Sequence, residues 1–359
     1  DEYASSVVAI EGATGNVRWS YQTVHHDIWD YDVPSQPTLI DLPGDNGEKI
    51  RALIQPTKRG EVFILNRENG EPIFDIQELQ VPQTGGVPED YVAATQPFTM
   101  DLPIWRMQLD ETKMWGMTPL DQLWCRIEYR KMRYEGHFTV PGVGTILQNP
   151  GATGGFNWGS ISVDEANNLM IVNPLYMANQ LTLTPRDQLP EGVIGSQLGT
   201  PYSHNTQRFM SPLHIPCMQP PYGTLGVVDL ETKELLWQKS IGTAKETGPL
   251  NIPTGLPLTV GTPQTGGTVT TAGGLIFSAG AFDNTVRATD LMNGEELWNH
   301  SIPYTAQGTP MTYLSPQGKQ TLIVVVPVFN STRGSGYIPL QAEAEDPLGG
   351  YVFAFRLTD

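Results

Sequence analysis

Val286-Arg287-Ala288-Thr289-Asp290-Leu291, followed by Asn293-Gly294-Glu295-Glu296-Leu297-Trp298, is the stretch that decides the fold. Two strand-like runs flank an Asn-Gly step, which supplies the positive φ of a hairpin turn without a Cβ clash. The same grammar recurs. Val7-Val8-Ala9-Ile10-Glu11 leads to Thr14-Gly15-Asn16-Val17-Arg18-Trp19, and Val227-Val228-Asp229-Leu230 leads to Thr232-Lys233-Glu234-Leu235-Leu236-Trp237. A degenerate copy, Val62-Phe63-Ile64-Leu65-Asn66, leads to Asn69-Gly70-Glu71-Pro72. Each copy is a strand, a polar turn bearing Gly or Lys, and a second strand usually closed by Trp. An indole that buries about 200 Å² can wedge between neighbouring sheets. Repeated hairpins of this kind fit a radial array of antiparallel blades better than a sandwich. The expected class is therefore all-β, a β-propeller, with further single blade strands at 169–172, 275–278, 322–326 and 349–355.

Composition agrees with many short strands joined by tight turns. The 359 residues include 37 Gly and 30 Pro, while only 16% are charged. A net charge of −17 argues against nucleic-acid binding, which needs clustered Lys and Arg. No run approaches the ~18 apolar residues of a membrane span. The chain begins at Asp1-Glu2-Tyr3, enters a strand pattern almost at once, and reads as a piece of something longer. Cys125 and Cys217 have no zinc-type spacing, and the sequence leaves open whether they form a disulfide or stay as buried thiols.

One propeller domain over 1–359 is expected, with insertions at about 83–150 and 181–221. The first is Pro-rich at its start and carries one candidate helix over 121–132. In the second, Pro185, Pro190, Pro201, Pro212, Pro216, Pro220 and Pro221 are expected to exclude extended regular structure. Long insertions usually serve as functional loops or partner surfaces.

Chemistry concentrates at His25-His26-Asp27-Ile28-Trp29-Asp30-Tyr31-Asp32, followed by Lys58-Arg59-Gly60. Crowded carboxylates raise one another's pKa, or are held ionised by a bound cation, for which hard oxygen donors favour Ca²⁺ over zinc. The alternative is a turn in which Asp side chains cap backbone N–H groups.

The run Gln22-Thr23-Val24-His25-His26-Asp27-Ile28-Trp29-Asp30-Tyr31-Asp32 resembles the catalytic segment of membrane-bound dehydrogenases that use pyrroloquinoline quinone (PQQ), of the glucose, polyol and quinate type. Similar segments follow in the same order: Lys58-Arg59-Gly60, Met114-Trp115-Gly116-Met117-Thr118, Met132-Arg133-Tyr134-Glu135-Gly136, Asn157-Trp158-Gly159-Ser160, Val172-Asn173-Pro174 and Gly308-Thr309-Pro310. The resemblance spans nearly the whole chain and implies the C-terminal blades of an eight-bladed quinoprotein propeller. It implies Asp30 as the general base for a substrate hydroxyl and Lys58 as a cationic contact to PQQ. Asn173 matches a cofactor contact, and Asn157 and Trp158 fall where relatives place a loop near the cofactor. A divalent metal such as Ca²⁺ is implied at Asp30, with Asp32 either a ligand or a hydrogen-bonding partner within the loop. His25 and His26 read as packing rather than as ligands.

The resemblance further implies a secondary-alcohol substrate (quinate or shikimate, a sugar alcohol, or glucose) and electrons passed to ubiquinone. The implied setting is the periplasmic face of the bacterial inner membrane, with anchoring segments and an N-terminal propeller half outside this sequence. A polar, acidic stretch at 329–349 departs from the glucose type and favours quinate, shikimate or a polyol. Two other classes compete: a non-catalytic propeller scaffold, and a sugar-binding propeller in which Trp29 and Tyr31 stack on sugar.

Overall fold

The computed structural model describes residues 1–44, 48–102, 107–327 and 350–356, and the acidic stretch at 329–349 lies outside them. The chain builds antiparallel sheets in series. The first pairs β1 (Ser6–Ile10) with β2 (Val17–Gln22), and the second orders β3 (Thr38–Pro43), β4 (Lys49–Pro56) and β5 (Val62–Asn66). A hairpin of β6 (Ile76–Gln80) and β7 (Thr95–Thr99) follows. Next, β8 (Ile146–Gln148) joins β11 (Asn179–Pro185) and β12 (Tyr202–Arg208), while β9 (Ser162–Asp164) and β10 (Leu169–Val172) join β13 (Thr224–Asp229) and β14 (Glu234–Ser240). The remaining sheets are β15 (Thr268–Thr271) to β18 (Glu296–Ser301), through β16 (Leu275–Ser278) and β17 (Thr285–Asp290), and β19 (Met311–Leu314), β20 (Gln320–Pro327) and β21 (Gly350–Arg356).

Apolar side chains weld each of the larger sheets to the next. Ile40, Ile54 and Ile64 of the β3–β5 sheet share a core with Met170, Val172 and Val228 of the β9–β14 sheet. Ile171 and Val227 then meet Ile276 of the β15–β18 sheet. Val286 in turn meets Leu322 and Val324 of the last sheet. Face-to-face packing of successive antiparallel sheets is what the repeated hairpins led one to expect.

In two of the three Trp copies the indole is a wedge seated on the glycine of the following repeat, whereas Trp298 is 38% exposed and meets the Phe355 ring instead. The Trp237 indole donates to Leu291 O (2.9 Å), and a Cβ on Gly294, where φ is +68°, would lie 2.7 Å from its ring. Trp19 repeats this at Arg67 O (3.2 Å) and Gly70, where a Cβ would again fall 2.7 Å from the indole. The turns share their caps as well. Asp290 Oδ1 accepts from the N–H groups of Met292 and Asn293, and Asp229 Oδ1 from those of Glu231 and Thr232. Where the third copy has no glycine, Lys233 itself takes φ +62°.

One expectation is overturned. Prolines were expected to exclude regular structure over 181–221, yet β11 and β12 pair over seven residues, from Asn179↔Arg208 to Pro185↔Tyr202. Pro185 and Pro201 sit at the strand ends, where the missing N–H costs no central ladder bond. The expected helix is present as α1 (Pro119–Lys131), capped by the Thr118 side chain and entered through Pro119. Its buried Cys125 is disulfide-bonded to Cys217, which ties the helix to the chain ahead of β13.

Gly294→Ala and Gly318→Ala should separate backbone strain from the indole contact. Both glycines have positive φ, +68° and +73°, but only Gly294 faces a ring. Gly318→Ala is expected to cost about 1 kcal/mol and Gly294→Ala about 2–4 kcal/mol in denaturant unfolding. Equal losses would show that Trp237 does not depend on its seat.

Candidate functional site

The 24–32 segment is shaped by alternation. Trp29 and Tyr31 are buried core, packed with Val24, Val81 and Phe138. The Trp29 indole donates to Thr139 O (2.8 Å), and the Tyr31 hydroxyl donates to His137 O or Pro150 O (3.0 Å each). These rings are therefore closed to sugar, and the sugar-stacking alternative falls. Asp27 takes the capping role: its Oδ1 accepts the N–H groups of Trp29 (2.9 Å) and Tyr31 (3.1 Å), and its Oδ2 accepts from Ser5 Oγ (2.6 Å). With two anchored rings flanking it, Asp30 is turned out at φ +65°, a left-handed conformation uncommon for a non-glycine residue.

Lys58 reaches this segment from the turn after β4. Its Nζ lies 3.0 Å from Asp30 Oδ2 and 2.6 Å from Asp32 Oδ1, and its backbone N–H donates to Asp32 O. The turn has almost no freedom. Arg59, wholly buried, donates to Thr23 O (2.8 Å) and Pro97 O (2.5 Å) and lies over the rings of Phe98 and Phe138. Behind Lys58, Gly154 at φ +80° packs so closely that a Cβ would fall 2.6 Å from the Lys58 Cα, while Gly155 N–H donates to Lys58 O (2.6 Å).

Partial withdrawal from water lifts the Asp30 carboxyl above the usual aspartate range; Lys58 opposes that shift and Asp32 adds to it. Burial alone would lower the Lys58 ammonium, but the two carboxylates outweigh it and raise the pKa. The ammonium therefore stays charged.

Two hollows meet at this cluster. A cleft of 740 Å³ is lined by Trp29, Asp30, Glu89, Tyr91, Gln148 and Tyr202, with Gln148 donating to Trp29 O (2.5 Å). A smaller hollow of 290 Å³ is lined by Lys58, Asp32, Thr153, Asn157 and Trp158. Asn157 and Trp158 thus reach the Lys58 side, with the indole 65% exposed and free to stack. Asn173 is placed differently: it is buried, donates to Gly266 O (2.7 Å), and is not among the residues lining either hollow. The histidines are engaged elsewhere, His25 with Glu78 and His26 between Asp1 and Asp90. Among the described residues, no group of three or more His, Cys, Asp or Glu side chains is placed to hold a metal.

Sequence reasoning missed the buried Arg59 and the cleft wall. Arg59 carried a readable signal, a charge directly between Lys58 and the turn Gly60. The cleft wall draws on separate parts of the chain, Glu89 and Tyr91 in one insertion and Tyr202 in another, and left none.

The family described as PQQ glucose/ethanol/alcohol dehydrogenase, beta-propeller domain, matches residues 1–322. The chain is 40% identical to the quinate/shikimate dehydrogenase (quinone) of Acinetobacter baylyi, over 90% of this chain and 42% of that protein. It is 42% identical to the glycerol dehydrogenase large subunit of Gluconobacter oxydans, over 87% of this chain and 45% of that protein. With the quinoprotein glucose dehydrogenase of Escherichia coli it shares 39% identity, over the whole chain and 45% of that protein. The chain thus spans about half the length of the curated relatives it matches. Among solved structures, a europium-containing methanol dehydrogenase superposes with a TM-score of 0.56 at 20% identity, covering 90% of this chain and 45% of that one, and supports the fold alone.

Lys58→Met should raise the Asp30 pKa further, because it removes the group that holds the carboxyl down. Carboxyl-carbon NMR titration of both forms checks this. A lowered or unchanged Asp30 pKa would show that the ammonium is not its electrostatic partner.

Proposed function

The chain belongs to the PQQ glucose/ethanol/alcohol dehydrogenase β-propeller family, and from that premise we propose that it oxidises a secondary alcohol of a polyol or sugar with PQQ as the hydride acceptor. The observation that carries this reading is the Lys58 ammonium held between Asp30 and Asp32 where cleft and hollow meet.

The smaller hollow fits a flat, anionic quinone. It offers a charged ammonium, an exposed indole face and the Asn157 side chain at one rim. Lys58, Asn157 and Trp158 would hold PQQ there, and Asn173 remains a candidate contact from the buried side. When bound, PQQ supplies the hydride-accepting carbonyl carbon. The chain's own residues do the rest. Asp30, facing the cleft, accepts the substrate hydroxyl proton, and its raised pKa brings it closer to the range useful for a general base. Lys58 offsets negative charge that develops on the quinone side. Asp30 and Asp32 supply oxygen donors suited to Ca²⁺, which takes six to eight, so most of its ligands would come from outside this pair.

The cleft's charge favours a neutral substrate. Asp27, Asp30, Glu89 and Asp90 line it together with Gln148, Gln197 and Thr200, and none of its described lining residues is Lys or Arg. Carboxylates and amides accept and donate to hydroxyls, whereas an added substrate carboxylate would meet like charge. A neutral polyol therefore ranks ahead of quinate or shikimate. The Cys125–Cys217 bond suits an oxidising compartment and supports a site on the periplasmic face of the inner membrane. The A. baylyi relative is named as a quinone-dependent dehydrogenase, which supports a quinone as the onward electron acceptor.

Dye reduction by the full-length holoenzyme, loaded with PQQ and Ca²⁺, tests the reading. Asp30→Asn should lower turnover by roughly 10²–10⁴-fold while PQQ binding, followed by absorbance, is retained. Near-normal turnover in this variant would remove Asp30 as the base, and no dye reduction by the native enzyme with any alcohol would favour a scaffold. Methyl quinate should be used about fivefold better than quinate at low ionic strength, the gap closing with salt. A preference for quinate would overturn the neutral-substrate assignment.

A further inference from the structure

Arg186 directs the side chain's N–H groups at backbone carbonyls of one loop. Nε donates to Thr200 O (2.6 Å), Nη1 to Ile194 O (2.8 Å), and Nη2 to Ser196 O (2.5 Å) and Gln197 O. The backbone N–H of Arg186 adds a bond to Pro201 O (3.0 Å). A planar guanidinium presents up to five donors in a fixed fork, so one side chain can fasten several carbonyls that an ammonium could not span. The loop needs such fastening. It contains Gly192, Gly195 and Gly199, all at positive φ, with Gln197 at φ +54°, and it exposes Val193, Ile194 and Leu198.

The fastened loop is a wall of the large cleft. Gln197, Thr200 and Pro201 line it, as do Tyr202 and His204 on the strand that follows. Ser196 extends the fastening to that strand: its hydroxyl lies 3.0 Å from His204 Nδ1 and also accepts the His204 N–H (3.0 Å). The Tyr202 hydroxyl donates to Glu89 Oε2 (2.8 Å), which ties the wall to another lining segment of the same cleft. Arg186 itself is not among the lining residues.

We propose that Arg186 is a positioning residue for substrate binding, fixing the 187–201 loop so that Gln197, Thr200 and Tyr202 present hydroxyl-recognising groups in the cleft that Asp30 also lines. The inference rests on the cleft being the substrate site. Asp30 and Lys58 belong to a different part of the chain, held by Arg59 and the Trp29 and Tyr31 anchors, so Arg186 governs recognition and leaves the proton-transfer pair in place.

Three measurements on Arg186→Ala and Arg186→Lys in the full-length protein test this. Thermolysin, which cuts beside residues such as Val193, Ile194 and Leu198, should cleave the loop about tenfold faster in the Ala variant, with the thermal midpoint of the protein retained. The Kd for methyl quinate, from ligand NMR line broadening without cofactor, should rise about fivefold. In the holoenzyme the KM should rise similarly, with kcat within about twofold of native and the lysine variant intermediate. Unchanged cleavage, or faster cleavage with unchanged Kd, overturns the proposal, as does absence of methyl quinate binding to the native protein. A fall in kcat with KM unchanged overturns it too, because that would place Arg186 in the chemistry. If the binding results hold while the native enzyme reduces no dye, the loss falls on the dehydrogenase reading and the loop assignment stands.

Discussion

An indole lying on a glycine holds this architecture together. Trp19 on Gly70 and Trp237 on Gly294 each couple the outer strand of one sheet to the turn of another, and each indole N–H also meets a turn carbonyl. The glycine is required twice over at those turns: its φ is positive, and a methyl group would occupy the space of the ring. Burial of a large aromatic surface is thereby converted into a fixed angle and spacing between sheets. Close backbone approaches elsewhere depend on that spacing. Gly154 against Lys58 and Gly159 against Gly266 leave no room for a side chain, so a sheet that shifted would move the lysine.

The site inherits this rigidity. Lys58 is held from behind by glycine contacts and from beside by a buried arginine among aromatic rings, a place where a cation is tolerable because carbonyls and ring faces replace water. On the opposing segment, a strand-like alternation buries Trp29 and Tyr31 and leaves Asp30 and Asp32 to meet the ammonium. Asp27 is spent on the local turn. Three carboxylates that look equivalent in sequence thus divide into one that builds the turn and two that face the cation.

Much of this was legible in the residues. The hairpin repeats and their Trp ends point to stacked blades because turn chemistry and aromatic size are local properties. The resemblance set Asp30 and Lys58 in one site with separate roles, and the structure brings their side chains to 3.0 Å. Other features were hidden for physical reasons. Prolines suggested irregular chain over 181–221, but those flanking the β11–β12 ladder occupy strand ends, which composition cannot distinguish from strand centres. Trp29 and Tyr31 looked available for stacking, whereas the groups that bury them come from 137–150. The disulfide between Cys125 and Cys217 depends on where α1 docks, which spacing alone does not give. Asn173, taken as a cofactor contact, is committed to Gly266 O, so its part depends on how that region receives the quinone.

The central claim is that the ammonium at 58 and the carboxylate at 30 mark the border between a cofactor hollow and a substrate cleft. Difference electron density from crystals of the full-length protein soaked with PQQ tests it most directly. The account predicts flat density in the hollow bordered by Lys58, Asn157 and Trp158, with Asp30 left facing the open cleft. Density at another place, with Lys58 still closed on both carboxylates, would contradict it.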